Sequence, residues 1–245
     1  EMLNESLILL NCRYISCTNI PLFFTDFYSV QLTSCVFEGN TNDNRFITID
    51  NIEEKSIIED CEFRNNVLND NSLDENNEFS LINASHVSLT IINTVFERTI
   101  QKETPKYTVF YSPSKNEQSC FYMYNCNINN NGIVFINDWT KEISVINTSF
   151  SNSVKGLYYS AESNFNDYVS DVFQIDSVVF DNFSNCACLI SASNDINISN
   201  TTIKNCQNIE EYCVSIFQID IKNDLINYFA FNNFTFEKNR FNDNN

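Results

Sequence analysis

A degenerate nine-residue unit, apolar-x-x-Cys/Thr-x-Phe-x-x-Asn/Ser/Thr, recurs nine times along the chain and constrains its fold more than any other feature. The units are LLNCRYISC (9–17), LTSCVFEGN (32–40), IEDCEFRNN (58–66), INTVFERT (92–99), MYNCNINNN (123–131), VINTSFSNS (145–153), IDSVVFDNF (175–183), ISNTTIKNC (198–206) and FNNFTFEKN (231–239). Each has an anchor: Tyr14, Phe37, Phe63, Phe96, Ile128, Phe150, Phe180, Ile203 and Phe236. A period of roughly 20 to 35 residues is the mark of a solenoid, in which each unit buries its apolar face only against its neighbours.

Between the anchors runs a second family of short strands: IPLFF (20–24), RFITI (45–49), FSLIN (79–83), YTVFY (107–111), GIVFI (132–136), GLYYS (156–160), CACLIS (186–191) and CVSIFQI (213–219). HVSLTII (86–92) and KEISVIN (141–147) add a third strand running into the anchor. Alternation, β-branched residues and turn clusters point to β structure, and no window sustains a helical period. Strands repeating without hairpin turns stack in parallel, one winding on the next at about 4.8 Å. The expected fold is therefore all-β: a right-handed parallel β-helix of about nine coils, continuous over 1–245 and part of a longer chain.

Period-two geometry puts each anchor and the residue two before it on one face, which is the interior of a closed coil. The anchors then form a ladder, beside a column of small residues: Cys12, Cys35, Cys61, Thr94, Cys126, Thr148, Val178 and Thr201, with Phe234 the exception. Asn40, Asn66, Asn131 and Asn239, three residues after their anchors, are read as the turn residues, stacked so that their amides satisfy turn backbone. Asn takes the part of turn former because Gly and Pro occur only three times each. The same Asn and Ile bias also fits an AT-rich genome.

These F-x-x-N units followed by a short apolar strand resemble the right-handed β-helix repeats of polymorphic outer-membrane (Pmp-type) surface proteins, and more broadly the pectin-lyase-like superfamily. The resemblance covers the whole chain. Four of the nine units keep the Asn, and the Gly-Gly-Ala-Ile element of the Pmp repeats survives only as Gly132-Ile-Val-Phe and Gly156-Leu-Tyr-Tyr. It implies an adhesive role. Enzymes of the wider superfamily use Asp-bound calcium with an Arg base, or NTD, DD, GHG and RIK strings; none of the four strings occurs here.

The chain carries a formal charge of −18. Such a surface repels phosphate backbones and anionic lipid, which argues against nucleic-acid and membrane-surface partners. No apolar run approaches the roughly 18 residues of a membrane span, so no direct insertion of this segment is expected. A basic stretch and a cleavage site are both missing before the first repeat, as expected of a processed chain or an excerpt.

Chemistry-bearing residues are scattered. No DxDxDG loop is present, the only histidine is His86, opening the strand HVSLT, and the five arginines fall in different coils. Glu59, Asp60 and Glu62, or Asp167, Asp171 and Asp176, are the candidate carboxylate groups for glycoside hydrolysis, although neighbours of this kind arise by chance among 32 acids. Tyr158, Tyr159 and Trp139 are candidates for a sugar-stacking platform, against the plainer reading that they are core. Ten cysteines permit disulfides, with Cys186–Cys213 the preferred pair and Cys12–Cys17 a second; CxC at 186–188 lacks the partners zinc prefers. Sequons begin at Asn4, Asn83, Asn147, Asn182, Asn197, Asn200 and Asn233, about the number that chance provides in so Asn-rich a chain.

The function expected from the sequence is that of a non-catalytic structural or adhesive module, extracellular or on a cell surface, with no cofactor, metal or catalytic residue. Protein or glycan partners would meet the long insertions near 66–78, 98–106 and 160–172, or neighbouring copies would meet end to end. The alternatives are a polysaccharide lyase or hydrolase and a subunit of an extracellular filament or lattice.

Overall fold

The computed structural model describes residues 5–43, 45–69, 80–98, 107–113, 119–130, 132–137, 139–153, 155–160, 170–191, 193–208, 217–220 and 228–241. Among them there is no helix, and every strand pairing is parallel. The chain is a parallel β-helix built from three long sheets, visited in turn by each winding.

The first sheet stacks nine strands, from Ser6–Leu10 through Ser29–Thr33 and Lys55–Glu59 to Tyr228–Asn232. The second stacks the nine three-residue anchor strands, from Arg13–Ile15 to Thr235–Glu237. The third stacks eight strands, from Leu22–Thr25 through Tyr107–Ser112 to Phe217–Asp220. Two short pairs, Thr41–Asp43 with Val67–Asn69 and Gln207–Asn208 with Arg240–Phe241, extend the wall after the second sheet.

Register explains the repeat. All nine anchors form one continuous column, Tyr14 on Phe37, Phe37 on Phe63 and so on to Ile203 on Phe236. Phe37, Phe63 and Phe96 stack with centroids 4.7 and 4.9 Å apart and planes 11° apart, and Phe150 stacks on Phe180 at 5.1 Å. Contacts of this kind add on the order of 1 kcal/mol beyond burial. Further interior columns come from the other two sheets. One runs Leu9, Leu32, Ile58, Ile91, Met123, Val145, Ile175, Ile198 and Phe231.

Sharp corners divide the first sheet from the second, and the second from the wall beyond it. The residue three before the anchor has a left-handed backbone in all nine windings: Asn11, Ser34, Asp60, Asn93, Asn125, Asn147, Ser177, Asn200 and Asn233, with φ between 47° and 55°. A second left-handed position lies two after the anchor, at Ser16, Gly39, Asn65, Asn130, Asn152, Asn182, Asn205 and Lys238. Asn fills most of these places because its short polar side chain tolerates this region better than other L-residues do. The turn residue proper therefore sits one position earlier than the sequence suggests. The Asn after it points inward instead.

Among the described residues, the exposed large apolar side chains belong only to the first and last windings: Ile8, Leu10, Ile15, Ile20 and Phe23 at one end, Tyr228, Phe229, Phe231 and Phe236 at the other. Phe229, Phe231 and Phe236 occupy interior columns and are exposed because no described winding lies beyond them.

Ser56 breaks the apolar rule in an otherwise aliphatic stretch of the first sheet. It is fully buried in the column between Val30 and Leu89, and its hydroxyl finds no hydrogen-bond partner among the described residues. An unpartnered buried hydroxyl costs about 1–3 kcal/mol. Ser56→Val should therefore raise stability by about 1–2 kcal/mol. Chemical denaturation would check it: a midpoint that stays put or falls means the hydroxyl is satisfied or the space is too small.

Candidate functional site

The outward surface is where chemistry could reside. At the corners, left-handed residues bond side chain to side chain with the left-handed residue of a neighbouring winding or with the residue just before it. Asn93 Nδ2 donates to Asp60 Oδ1 at 3.0 Å and Asn125 Nδ2 to Asn93 Oδ1 at 3.1 Å. Asn200 Nδ2 donates to Asp176 Oδ1 at 2.9 Å, and Asn233 Nδ2 to Asn200 Oδ1 at 2.9 Å. On the second corner Asn182 donates to Asn152 at 2.7 Å and Asn205 to Asp181 at 2.7 Å. The polar residues of the corners are thus spent on each other, in the manner of a strut rather than a pocket.

The candidate carboxylates fall within this scheme. Glu59 and Glu62 leave two different sheets on either side of a corner, with Asp60 on the corner itself. Asp60 accepts from Asn93, and Glu62 pairs with Arg64 at 3.2 Å. Asp176 accepts from Ser199 and Asn200, and these two bonds outweigh partial desolvation and hold its carboxyl below the ordinary range. That is the wrong direction for a general acid at neutral pH. Asp171 is described but Asp167 lies outside the described residues.

His86 does not open a strand. It takes a left-handed corner position (φ 51°) ahead of Ser88–Ile92, because the third sheet must turn there. Its Nδ1 lies 2.8 Å from Asp50 Oδ1, which also accepts from Ser85 Oγ at 2.7 Å. Both groups are near the surface, and the contact ties one winding to the previous one.

The proposed aromatic platform is broken by strand alternation. Tyr159 points inward and is fully buried against Phe173, whereas Tyr158 faces outward with Lys155 Nζ 5.5 Å from its ring centroid. Trp139 sits at a third-sheet corner with φ 73°. A different aromatic set shares the outer face of the third sheet. Phe110, Phe135, Tyr158 and Leu189 occupy one outward register column, and Phe110 stacks on Phe135 at 5.2 Å with planes 3° apart. Tyr107 packs on both phenylalanines. The signal was available in YTVFY and GIVFI, where Phe110 and Phe135 have the opposite parity to the interior positions.

The interior Asn positions do structural work. Asn40 Nδ2 donates to Tyr14 O, Asn66 Nδ2 to Phe37 O and Asn239 Nδ2 to Ile203 O, at 2.8–2.9 Å. Their carbonyl oxygens accept from Cys17 N, Asn40 N and Cys206 N. Each side chain therefore bridges the anchor carbonyl and a corner amide of the winding before it. Asn131 lies outside the described residues.

The small-residue column shows why Cys and Thr alternate. Thr94, Thr148 and Thr201 donate to the carbonyl two residues back, and Cys35, Cys61 and Cys126 make the same contact through sulfur at 3.2–3.4 Å. Burial pushes the Cys61 and Cys126 thiols up to about 12. No disulfide joins any two of the nine described cysteines. Cys12 and Cys17 lie on different corners, held apart by the extended strand Arg13–Ile15, so the bridge expected between them does not form. Cys186 is buried, and Cys213 lies outside the described residues.

Of the sequons, Asn147, Asn182, Asn200 and Asn233 are exposed corner residues, and Asn197 is half-buried on an outward strand position. Asn83 is only 5% exposed, on the outer face of the third sheet, and is closed to a glycan. Asn4 lies outside the described residues. Among the described residues no group of three or more His, Cys, Asp or Glu is placed to hold a metal, and no helix is long and apolar enough to cross a membrane.

The Asp50 contact carries a pH signature. Partial burial pushes its carboxyl up, but the bonds from His86 and Ser85 outweigh this and hold it below the usual value. A depressed folded-state value means stability that is present above the unfolded value near 3.9 and is lost as pH falls through the folded one. Asp50→Asn should leave a smaller drop in melting temperature between pH 6 and pH 2.5 than the parent shows; an unchanged drop would remove Asp50 from the acid response. No family model matches the chain, and no curated protein matches it.

Proposed function

We propose that this chain is a non-catalytic structural or adhesive module of an extracellular or cell-surface protein, in which the β-helix acts as a spacer that displays contact surfaces. The carrying observation is the division between its faces. The interior anchor column holds large apolar residues through all nine windings, while the outward residues beside it change from winding to winding. A scaffold whose outer residues vary without disturbing its core suits display. The resemblance of its repeats to those of Pmp-type surface proteins supports the same reading, as does the engagement of corner carboxylates in inter-winding bonds.

The outer face of the third sheet is the favoured contact surface. It carries the column Phe110, Phe135, Tyr158 and Leu189, and the long connections 70–79 and 99–106 lead directly into its strands. Beads coated with the protein should retain cells or a glycan or protein ligand, and Tyr158→Ala together with Leu189→Ser should weaken retention at least threefold without lowering the melting temperature. Release of unsaturated or new reducing ends from acidic or neutral polysaccharides, with or without calcium, would favour the lyase or hydrolase reading instead.

A filament subunit is the second reading, favoured by the apolar side chains confined to the two terminal windings. Among the described residues, the outermost strands of each long sheet, such as Ser6–Leu10 at one end and Tyr228–Asn232 at the other, leave one edge unpaired. Head-to-tail contact of this heterologous kind grows without closing. It predicts a sedimentation coefficient that climbs with concentration, and a monodisperse monomer at high concentration would dispose of it.

A further inference from the structure

Three consecutive windings place a cysteine at the same point of the small-residue column: Cys12, Cys35 and Cys61. The register is fixed on both sides, by Leu10 on Thr33 before the corner and by Arg13 on Val36 after it. The backbone bond from Val36 N to Cys12 O, 2.9 Å, closes the corner between them. Residues stacked this way have Cα atoms about 4.8 Å apart, inside the 4.4–6.8 Å that a disulfide spans. Cys12 is exposed and Cys35 is fully buried beneath it. Cys12 Sγ lies 3.6 Å from Leu10 O, and Cys35 Sγ sits between the two windings, 3.4 Å from both Leu9 O and Thr33 O.

We propose that Cys12 and Cys35 form an oxidation site, an inter-winding disulfide that fastens the first winding to the second. The oxidant is a small-molecule disulfide or an equivalent thiol oxidant. The Cys12 thiolate attacks one sulfur of oxidised glutathione, forming a mixed disulfide and releasing one glutathione thiolate. Cys35 then gives up its proton and attacks the Cys12 sulfur, releasing the second glutathione. Two protein thiols are oxidised and one glutathione disulfide is reduced to two thiols. The exposed partner supplies access, and the buried one is the resolving thiol.

The neighbours argue for this pair over the others. Cys61 lies deeper in the same column and, like Cys35, is fully buried with its thiol pushed up by burial, so of the three stacked thiols Cys12 is the one open to a reagent in solvent. Cys17 belongs to the next corner and is bonded to Ile15 O at 3.5 Å.

The test incubates the whole 245-residue protein with oxidised glutathione under native conditions, quenches it with iodoacetamide and digests it without reduction using trypsin and Asp-N. Cleavage at Arg13 and before Asp26 separates Cys12, Cys17 and Cys35 into different peptides. The expected product is a Cys12–Cys35 cross-linked peptide, with Cys61 alkylated only after denaturation. Amide exchange over residues 6–15 should slow by about tenfold or more on oxidation. Cys35→Thr, which uses the residue type of Thr94 and Thr148, keeps the column filled and should leave glutathione on Cys12 with no slowing of exchange. A stable glutathione adduct on Cys12 of the parent protein, a bridge to Cys17, or a cross-link without slower exchange would overturn the proposal.

Discussion

The whole structure depends on one constraint: each winding hydrogen-bonds to its neighbours and not to itself. Parallel strands need partners one winding away, so the backbone is satisfied only if every winding retraces the path of the last. The ladder does not stop at the corners. Asn11 N bonds Thr33 O, Val36 N bonds Cys12 O and Ser16 N bonds Glu38 O, at 2.9–3.0 Å, and the same pattern returns in later windings. Continuous bonding around a bend requires the same abrupt change of direction in every winding. The left-handed residue supplies it, at a cost of roughly 1–2 kcal/mol for residues other than Gly, Asn or Asp. Ser34, Ser177 and Lys238 take that conformation all the same, because leaving the ladder would strand several buried backbone groups.

This constraint also decides what the sequence makes legible. Like must sit over like, so the anchors show through as a repeat although each strand holding them has only three residues. The β class, the solenoid and the interior anchor column can all be read from that recurrence. The corners are harder to read. Their requirement is a backbone angle met by Asn, Ser, Asp, Gly or Lys, and the eye goes instead to the better-matched Asn one residue later, which is buried. His86 and Asn83 mislead for a related reason. His86 reads as a strand start and Asn83 as a sequon open to a glycan, whereas one is a corner and the other lies on a covered outer face. Parity within GLYYS is equally open, since both tyrosines suit a core and only the inter-winding register chooses Tyr159.

Apart from Ser56, the interior polar side chains described above bond to backbone groups of the ladder. Asn40, Asn66 and Asn239 are admitted because each satisfies two backbone groups of the winding before. Thr and Cys share a column because both are small and both can donate to the carbonyl two residues back, the thiol more weakly. Cysteine here is therefore a packing residue by origin, and its number in the chain says little about disulfides. Only at the end of the column does the same geometry leave a thiol exposed.

A ladder that sets side chains about 4.8 Å apart also limits how charge can be arranged, since like charges in one outward column would repel along its whole length. The column one residue after the anchors shows the solution. Glu38, Arg64 and Glu97 alternate in sign over three windings, and Asp181, Lys204 and Glu237 do so over three more, with Lys204 Nζ 3.5 Å from Asp181. Neutral Asn129 and Ser151 separate the two runs. With only 14 basic residues against 32 acids, such alternation cannot extend over the surface. Several other acids, in strands or at corners, accept from an uncharged neighbour of the next or previous winding, as Asp176 does from Asn200 and Glu142 from Tyr122. Asp60 under Asn93 shows this at a corner, and Asp181, at the end of its strand, accepts from Asn205 in the same way. The strongly acidic character of the chain and its wealth of Asn are thus two sides of one structural economy: the amide ladders let an acidic surface be wound at sheet spacing without setting carboxylate upon carboxylate.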